Sequence, residues 1–213
     1  MKSEWLWDKL ARNWDKPGVS LGENDIKILG KTGKYLNDGS IVLDYGCATG
    51  SIVFAIADKV KEVHGIDLSS KMVDISKRKA EQCKTGNTKF MQAEIFDERL
   101  KEGTYDVTLA LNILHLLENM PRVMNRINHL LKPGGIFISA SPCLGNVKFG
   151  GSLLIVPVFL ASKTGVLPHV NFFSVSRLTS LITNNNFNII ETEYLADKTI
   201  DEILVTAKKV QTL

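Results

Sequence analysis

The sequence predicts an α/β fold, a doubly wound three-layer sandwich on a mostly parallel sheet. Three observations carry that reading. Short β-branched and apolar runs alternate with helical stretches of roughly ten to fifteen residues, the pattern of βαβ units. The first run, Ile41-Val42-Leu43, has no polar alternation before Asp44, which suits a strand covered on both faces. Acids recur just after the apolar runs, at Asp44, Asp67 and Glu94, and the carboxyl edge of an open parallel sheet is where such residues meet a ligand.

Bulk properties narrow the class. The chain has 213 residues, 44% of them hydrophobic and 23% charged, which fits one domain over 1–213 with a substantial core. A net charge of +3 without a long basic run gives no nucleic-acid footprint; Lys77-Arg78-Lys79 reads as the solvated face of a helix. Cys47, Cys83 and Cys143 form an odd set with no Cys-x-x-Cys and no Cys/His cluster, so no metal site is expected and a reducing, cytoplasmic setting fits. No apolar stretch follows Met1-Lys2-Ser3-Glu4-Trp5, so no secretory signal is expected. The longest apolar run, Leu153–Ala161, is broken by Pro157 and falls short of the roughly 20 residues that span a bilayer, so membrane insertion is not expected.

Taken in order, residues 1–36 form an N-terminal flank. Trp5, Leu6, Leu10 and Trp14 fall at near-helical spacing, a short amphipathic helix that either packs onto the body or closes as a lid over a ligand. Pro17-Gly18 breaks it. Asn24–Leu36 is the next helix, ended by Asn37-Asp38-Gly39. Ile41–Tyr45 is the first strand. The turn Gly46-Cys47-Ala48-Thr49-Gly50 leads into a helix over Ser51–Lys59. Glu62–Asp67 is the second strand, Ser70–Lys84 a helix, Asn87–Ala93 the third strand and Thr104–Leu111 the fourth. Asn119–Leu131 is a helix ended by Lys132-Pro133-Gly134-Gly135, and Ile136–Ala140 is the fifth strand. Residues 141–173 break the rhythm, as a long connection with a buried helix or as a substrate cap. Ser174–Asn184 is the last helix. Phe187–Leu195 and Ile200–Lys208 are strands joined by the short turn Ala196-Asp197-Lys198-Thr199, and a hairpin makes that pair antiparallel.

A strand, glycine turn and helix make an anion- or nucleotide-binding corner: glycines let backbone N–H groups approach, and the helix start carries partial positive charge. Asp67, at the end of the second strand, can accept both hydroxyls of a ribose. Asp44, Asp67 and Glu94 have ordinary readings one at a time, as a turn cap, a helix-cap region and a solvated loop acid. Together, with no basic phosphate cradle, they suit a ligand carrying a ribose and an ammonium or sulfonium group.

Val42-Leu43-Asp44-Tyr45-Gly46-Cys47-Ala48-Thr49-Gly50 resembles the first motif of class I S-adenosylmethionine-dependent methyltransferases. Ala48 stands where that family most often has glycine, which the turn tolerates if its φ is negative. Gly65-Ile66-Asp67-Leu68-Ser69, Phe90–Asp97, Tyr105-Asp106-Val107 through Leu111-Asn112-Ile113-Leu114-His115, and Leu130–Gly135 resemble the later motifs in order, and Phe173-Ser174 to Ile190 resembles the family's tail. The resemblance, over about 35–208, implies a Rossmann-like sheet of seven strands with the last antiparallel. It also implies S-adenosyl-L-methionine as cofactor and S-adenosyl-L-homocysteine as product. The cofactor set it implies is Trp14, Asp44, Tyr45, Gly46, Gly50, Asp67, Leu68, Met72, Glu94, Ile95 and Asn112. Asp44 and Gly46 would serve the methionine end and Asp67 the ribose. Leu68 and Ile95 would flank the adenine with Glu94 near its amino group, Asn112 would lie by the sulfonium, and Trp14 would close from the flank.

Methyl transfer is an in-line displacement that mainly needs proximity, alignment and a dry site; a neutral oxygen or nitrogen acceptor also needs a base. His115, just past the fourth strand, is the candidate base, and His169 a second candidate on the substrate side. No Asn-Pro-Pro-Tyr-like element follows the fourth strand, which with the weak charge favours a small or lipid-like acceptor. Two other readings stand beside methyl transfer: a non-catalytic cofactor-binding or partner subunit, and a nicotinamide-dependent oxidoreductase. The turn's lack of Gly-x-Gly-x-x-Gly spacing disfavours the second.

Overall fold

Seven strands make one sheet: β1 (Ile41–Tyr45), β2 (Glu62–Asp67), β3 (Thr88–Gln92), β4 (Tyr105–Leu111), β5 (Leu131–Cys143), β6 (Phe187–Leu195) and β7 (Asp201–Lys209). Their order is β3-β2-β1-β4-β5-β7-β6. Pairs from β3 to β5 are parallel, and β7 runs antiparallel to both β5 and β6. The expected doubly wound sheet with an antiparallel last strand is what forms. The computed structural model describes residues 2–11, 13–14, 21–145, 161–162, 169–195 and 201–211. Most of the expected 141–173 insertion, including Leu153–Val158, and the turn Ala196–Thr199 lie outside the described residues.

Six helices are described: α1 (Lys2–Ala11), α2 (Glu23–Thr32), α3 (Ser51–Ile56), α4 (Ser70–Cys83), α5 (Met120–Leu130) and α6 (Val175–Thr183). They cover the two sheet faces because the strands alternate. Val42, Val107, Leu109 and Ile138 pack with Ile28 of α2, Val53 and Ile56 of α3 and Val73 of α4. Leu43, Ala110 and Phe137 pack on the other face with Met124 and Ile127 of α5 and Leu178 and Ile182 of α6. Each fully buried aliphatic side chain of this kind contributes about 1.5–3 kcal/mol by leaving water. Such a strand carries apolar residues at every position, so the uninterrupted run in β1 is explained.

Boundaries differ from expectation where the chain tightens. The second helix stops at Thr32 and continues as a 3-10 turn over Gly33–Tyr35, and α3 stops at Ile56 and does the same over Ala57–Lys59. The fifth strand was expected to begin at Ile136. It begins at Leu131, which already pairs with Tyr105; pairing then skips to Ile136 opposite Val107. Lys132–Gly135 is thus an irregularity inside β5 rather than a loop before it, with Gly134 at φ +72° and the Lys132 ammonium on both Asp106 oxygens at 2.8 and 2.7 Å. β5 also runs on past Ala140 to Cys143, because β7 pairs with it as far as Asp201.

Candidate functional site

The topology reverses between β1 and β4, and the crevice at that switch opens on the strands' carboxyl ends. A cavity of ≈ 960 Å³ lies there. Its floor is the turn after β1. Gly46 and Cys47 donate their N–H groups to the Ile66 carbonyl at 2.8 and 3.0 Å, which folds the turn back over β2. Gly46 has φ +81°, and a Cβ there would collide with the Ile113 side chain. Glycine meets both demands without strain and without moving Ile113.

Asp44 is the unusual charge. It lines the cavity at 3% exposure, and among the described residues nothing donates a hydrogen bond to it. Burial, and then the negative charge of Asp67, push its carboxyl up to about 7. Asp67 accepts the Ser69 N–H at 2.8 Å and the Ala48 N–H at 3.0 Å. Burial outweighs these bonds and raises its pKa. An unpaired buried carboxylate beside a second one is costly unless a cation arrives. Leu68, Met72, Ala93, Glu94 and Phe96 continue the wall, and Arg122 is the one arginine or lysine among the described lining residues. This set of acceptors fits a ligand with a cationic group, sugar hydroxyls and an amino-bearing ring. It does not fit a pyrophosphate.

The N-terminal helix closes one side. Asp8 accepts the Ser69 hydroxyl at 2.6 Å and the Lys71 N–H at 3.3 Å, and the Gln92 side-chain amide donates to Glu4 at 2.8 Å. Trp7 and Trp14, edge to face with centroids 6.1 Å apart, both line the cavity. Trp14 lies beyond the end of α1, in the turn after it.

Of the residues expected at the cofactor, Trp14, Asp44, Tyr45, Gly46, Asp67, Leu68, Met72, Glu94 and Asn112 border the cavity, and Gly50 and Ile95 do not. Gly50 instead meets the Phe54 and Phe90 rings, where a Cβ would come within 3.0 Å, and takes φ +85° as the residue that opens α3. Ile95 is fully buried in the α5-side core. The chain leaves the ladder after Gln92, side-chain alternation lapses there, and Phe96 lines the cavity in place of Ile95. His115 is corrected too. It sits in the 3-10 turn Leu114–Leu116, off the cavity. Its Nδ1 is buried with no partner among the described residues, and burial pushes it down to about 4. His169 does line the cavity.

Several lining residues were not anticipated: Trp7, Phe96, Ile113, Leu116, Leu117, Asn119, Arg122 and Val123. Trp7 stands seven residues before Trp14, a helical repeat that could have signalled it. Asn112 at φ +55° and Asn119 at φ +49° take left-handed positions that asparagine tolerates.

A family model described as "Methyltransferase domain" matches residues 36–205. The sterol 4-C-methyltransferase strm-1 of Caenorhabditis elegans is 30% identical over 104 residues, 48% of this chain and 31% of that protein. The demethylmenaquinone methyltransferase of Lactococcus lactis is 29% identical over 140 residues, 61% of this chain and 54% of that protein. The chain thus spans from under a third to about half the length of these relatives. The structure of phosphoethanolamine N-methyltransferase 2 from Haemonchus contortus, with phosphomonomethylethanolamine and S-adenosylhomocysteine, superposes with TM-score 0.80 at 15% identity, covering 99% of this chain and 61% of that one. At that identity the likeness is one of fold.

Proposed function

Because the chain belongs to the class I S-adenosylmethionine-dependent methyltransferases, we propose that it binds S-adenosylmethionine and methylates a small acceptor with an apolar body. The observation that carries this reading is the buried Asp44 carboxylate, without a hydrogen-bond donor among the described residues, lining the cavity beside Asp67. In this reading Asp44 takes the ammonium of the cofactor's methionine end and Asp67 the ribose hydroxyls. Leu68 and Phe96 flank the base, and Glu94 accepts from its amino group. The cofactor, when bound, supplies a methyl group on a good leaving group. The chain's residues align that group with the acceptor and keep water out, and effective molarity is worth on the order of 7–11 kcal/mol.

Beyond Asn112 the wall includes Ile113, Leu116, Leu117 and Val123 beside the polar Glu118, Asn119 and Arg122; the four apolar side chains support an acceptor with an apolar body. The sterol and demethylmenaquinone relatives point the same way. The free cysteines Cys47, Cys83 and Cys143 support a reducing, cytoplasmic setting.

His169 is the better candidate base. Its Nε2 lies 3.1 Å from Asn171 Oδ1. The Asn171 amide donates to the Leu117 carbonyl at 2.5 Å, so its oxygen is the acceptor and His169 Nε2 carries the proton. In the neutral ring that leaves Nδ1 unprotonated, able to take a proton from an acceptor.

Calorimetry tests the reading. S-adenosylmethionine and S-adenosylhomocysteine should bind at one site and NAD should not; binding of NAD alone would sink it. His169→Asn should leave S-adenosylhomocysteine affinity within about twofold, since the residue belongs to the acceptor side.

A further inference from the structure

After Gln92 the chain leaves the sheet and runs as a loop to β4, with Ala93, Ile95 and Leu100 buried in the core, and its Ala93, Glu94 and Phe96 form the base side of the cavity. The Ala93 N–H still donates to the Asp67 carbonyl at 3.0 Å, and the loop then makes two turns of its own, Asp97 N–H to the Glu94 carbonyl at 3.0 Å and Leu100 N–H to the Asp97 carbonyl at 3.1 Å; a group from outside must tie those turns to the body. One side chain of α5 does so. Arg126, 17% exposed, donates from Nη2 to the Leu100 carbonyl at 2.8 Å and to the Asp97 carbonyl at 3.5 Å. Its Nε donates to the Ile95 carbonyl at 3.3 Å, and its Nη1 reaches Glu102 at 3.1 Å. One planar fork thus gathers three main-chain acceptors from one loop, geometry that a lysine's point charge reproduces poorly. One helical turn earlier on α5, the Arg122 guanidinium stacks on the cavity face of the same loop, 4.4 Å from the Phe96 ring centre. The loop is therefore gripped between two arginines of one helix, on its backbone by Arg126 and on its ring by Arg122.

We propose that Arg126 is a positioning residue that sets base recognition: by pinning the carbonyls of Ile95, Asp97 and Leu100 it holds Glu94 and Phe96 where they read an adenine ring. The inference rests on the cofactor reading above. Glu94 can discriminate an amino group from a carbonyl only if its backbone is fixed, because a misplacement of about 1 Å costs a directional interaction much of its effect. Arg126 itself does not line the cavity.

The test compares S-adenosylhomocysteine with its inosine counterpart, in which the ring amino group is replaced by a carbonyl, by calorimetry on the full chain. Wild type prefers the adenosine ligand. Arg126→Gln should weaken S-adenosylhomocysteine roughly tenfold and weaken the inosine ligand less, so the preference shrinks. Arg126→Lys should fall between, and Glu102→Gln, which removes the exposed charge beside Arg126 and His129 and leaves the three main-chain bonds of Arg126 in place, should leave both affinities unchanged. Melting curves accompany each variant; if Arg126→Gln fails to fold, Arg126→Lys carries the same comparison. Equal losses for the two ligands would make Arg126 a merely structural residue and overturn the proposal, as would unchanged affinities. Wild type that binds neither ligand overturns the cofactor reading, and this proposal with it.

Discussion

Ala48 sits in the left-handed region at φ +46°, so the condition of a negative φ, under which the turn would tolerate alanine without strain, is not met. Its N–H is committed to Asp67 and the turn is pinned to Ile66 on one side, so neighbouring hydrogen bonds hold a conformation the residue disfavours by about 1–2 kcal/mol. Glycine relieves that strain and gives back part of it, about 0.5–1 kcal/mol, as unfolded-chain entropy. Ala48→Gly should therefore stabilise the chain by up to ~1 kcal/mol, a melting rise of about 2–4 °C at this size; a lower melting temperature would show that the turn relaxes another way. The other residue-scale differences share one cause. Ile95 and Phe96 exchange roles because the strand period ends at Gln92, and no sequence period predicts which of two adjacent apolar residues then faces in. His115 was placed by its distance past β4, which cannot show that a 3-10 turn would carry it off the cavity.

Elements were more legible than residues, because each strand and helix is written in several side chains at once. β1, β2 and β6 match their expected spans because their apolar runs are bounded by turn residues. The start of β5 was missed, because Pro133 and Gly134 normally end a ladder and here lie in an irregularity that the Lys132–Asp106 pair covers. The flank helix α1 was legible as amphipathic, but not the way it docks. Its described polar contacts to the body are made through Asp8 and Glu4, while Trp5 on its outer side stays 65% exposed. Those polar contacts meet the N-terminus of α4 and the end of β3, beside Asp67, so α1 carries Trp7 and the turn bearing Trp14 to the cavity's edge. Asp8→Ala removes the acceptor of both the Ser69 hydroxyl and the Lys71 N–H, worth about 1–3 kcal/mol for a charged acceptor. Amide hydrogen exchange across 2–11 should speed up while exchange in β1 and β4 stays slow, and S-adenosylhomocysteine should bind several-fold more weakly. Unchanged exchange in α1 would mean that apolar contacts alone hold it.

The doubly wound sheet gathers acids from different strands at one edge, and the whole molecule bears the cost. Asp44 titrates at about 7 in the fold against an ordinary 3.8, so the native state holds its proton more tightly than the unfolded chain does. Its contribution is then most favourable below about pH 4 and is lost as pH rises towards 7, at about 1.36 kcal/mol per pH unit as an upper limit. A cation beside Asp44 reverses the balance by favouring the ionised form. Binding of S-adenosylhomocysteine through its ammonium should therefore expel a proton below pH 7, and it should tighten as pH rises. The melting gain at saturating ligand should be larger at pH 7.5 than at pH 5.5, because ligand stabilisation follows RT ln(1 + [L]/Kd). In the same experiment at pH 5.5, the calorimetric heat should vary with the buffer's ionisation enthalpy. Asp44→Asn keeps the shape and removes the charge, so it should raise the apo melting temperature at pH 7.5 and weaken the ligand. It should also abolish most of the pH dependence, with Asp67, still raised by burial, accounting for the remainder. Equal melting gains at the two pH values in wild type would show that Asp44 is not the group that meets the cation, and that its burial serves the sheet edge alone.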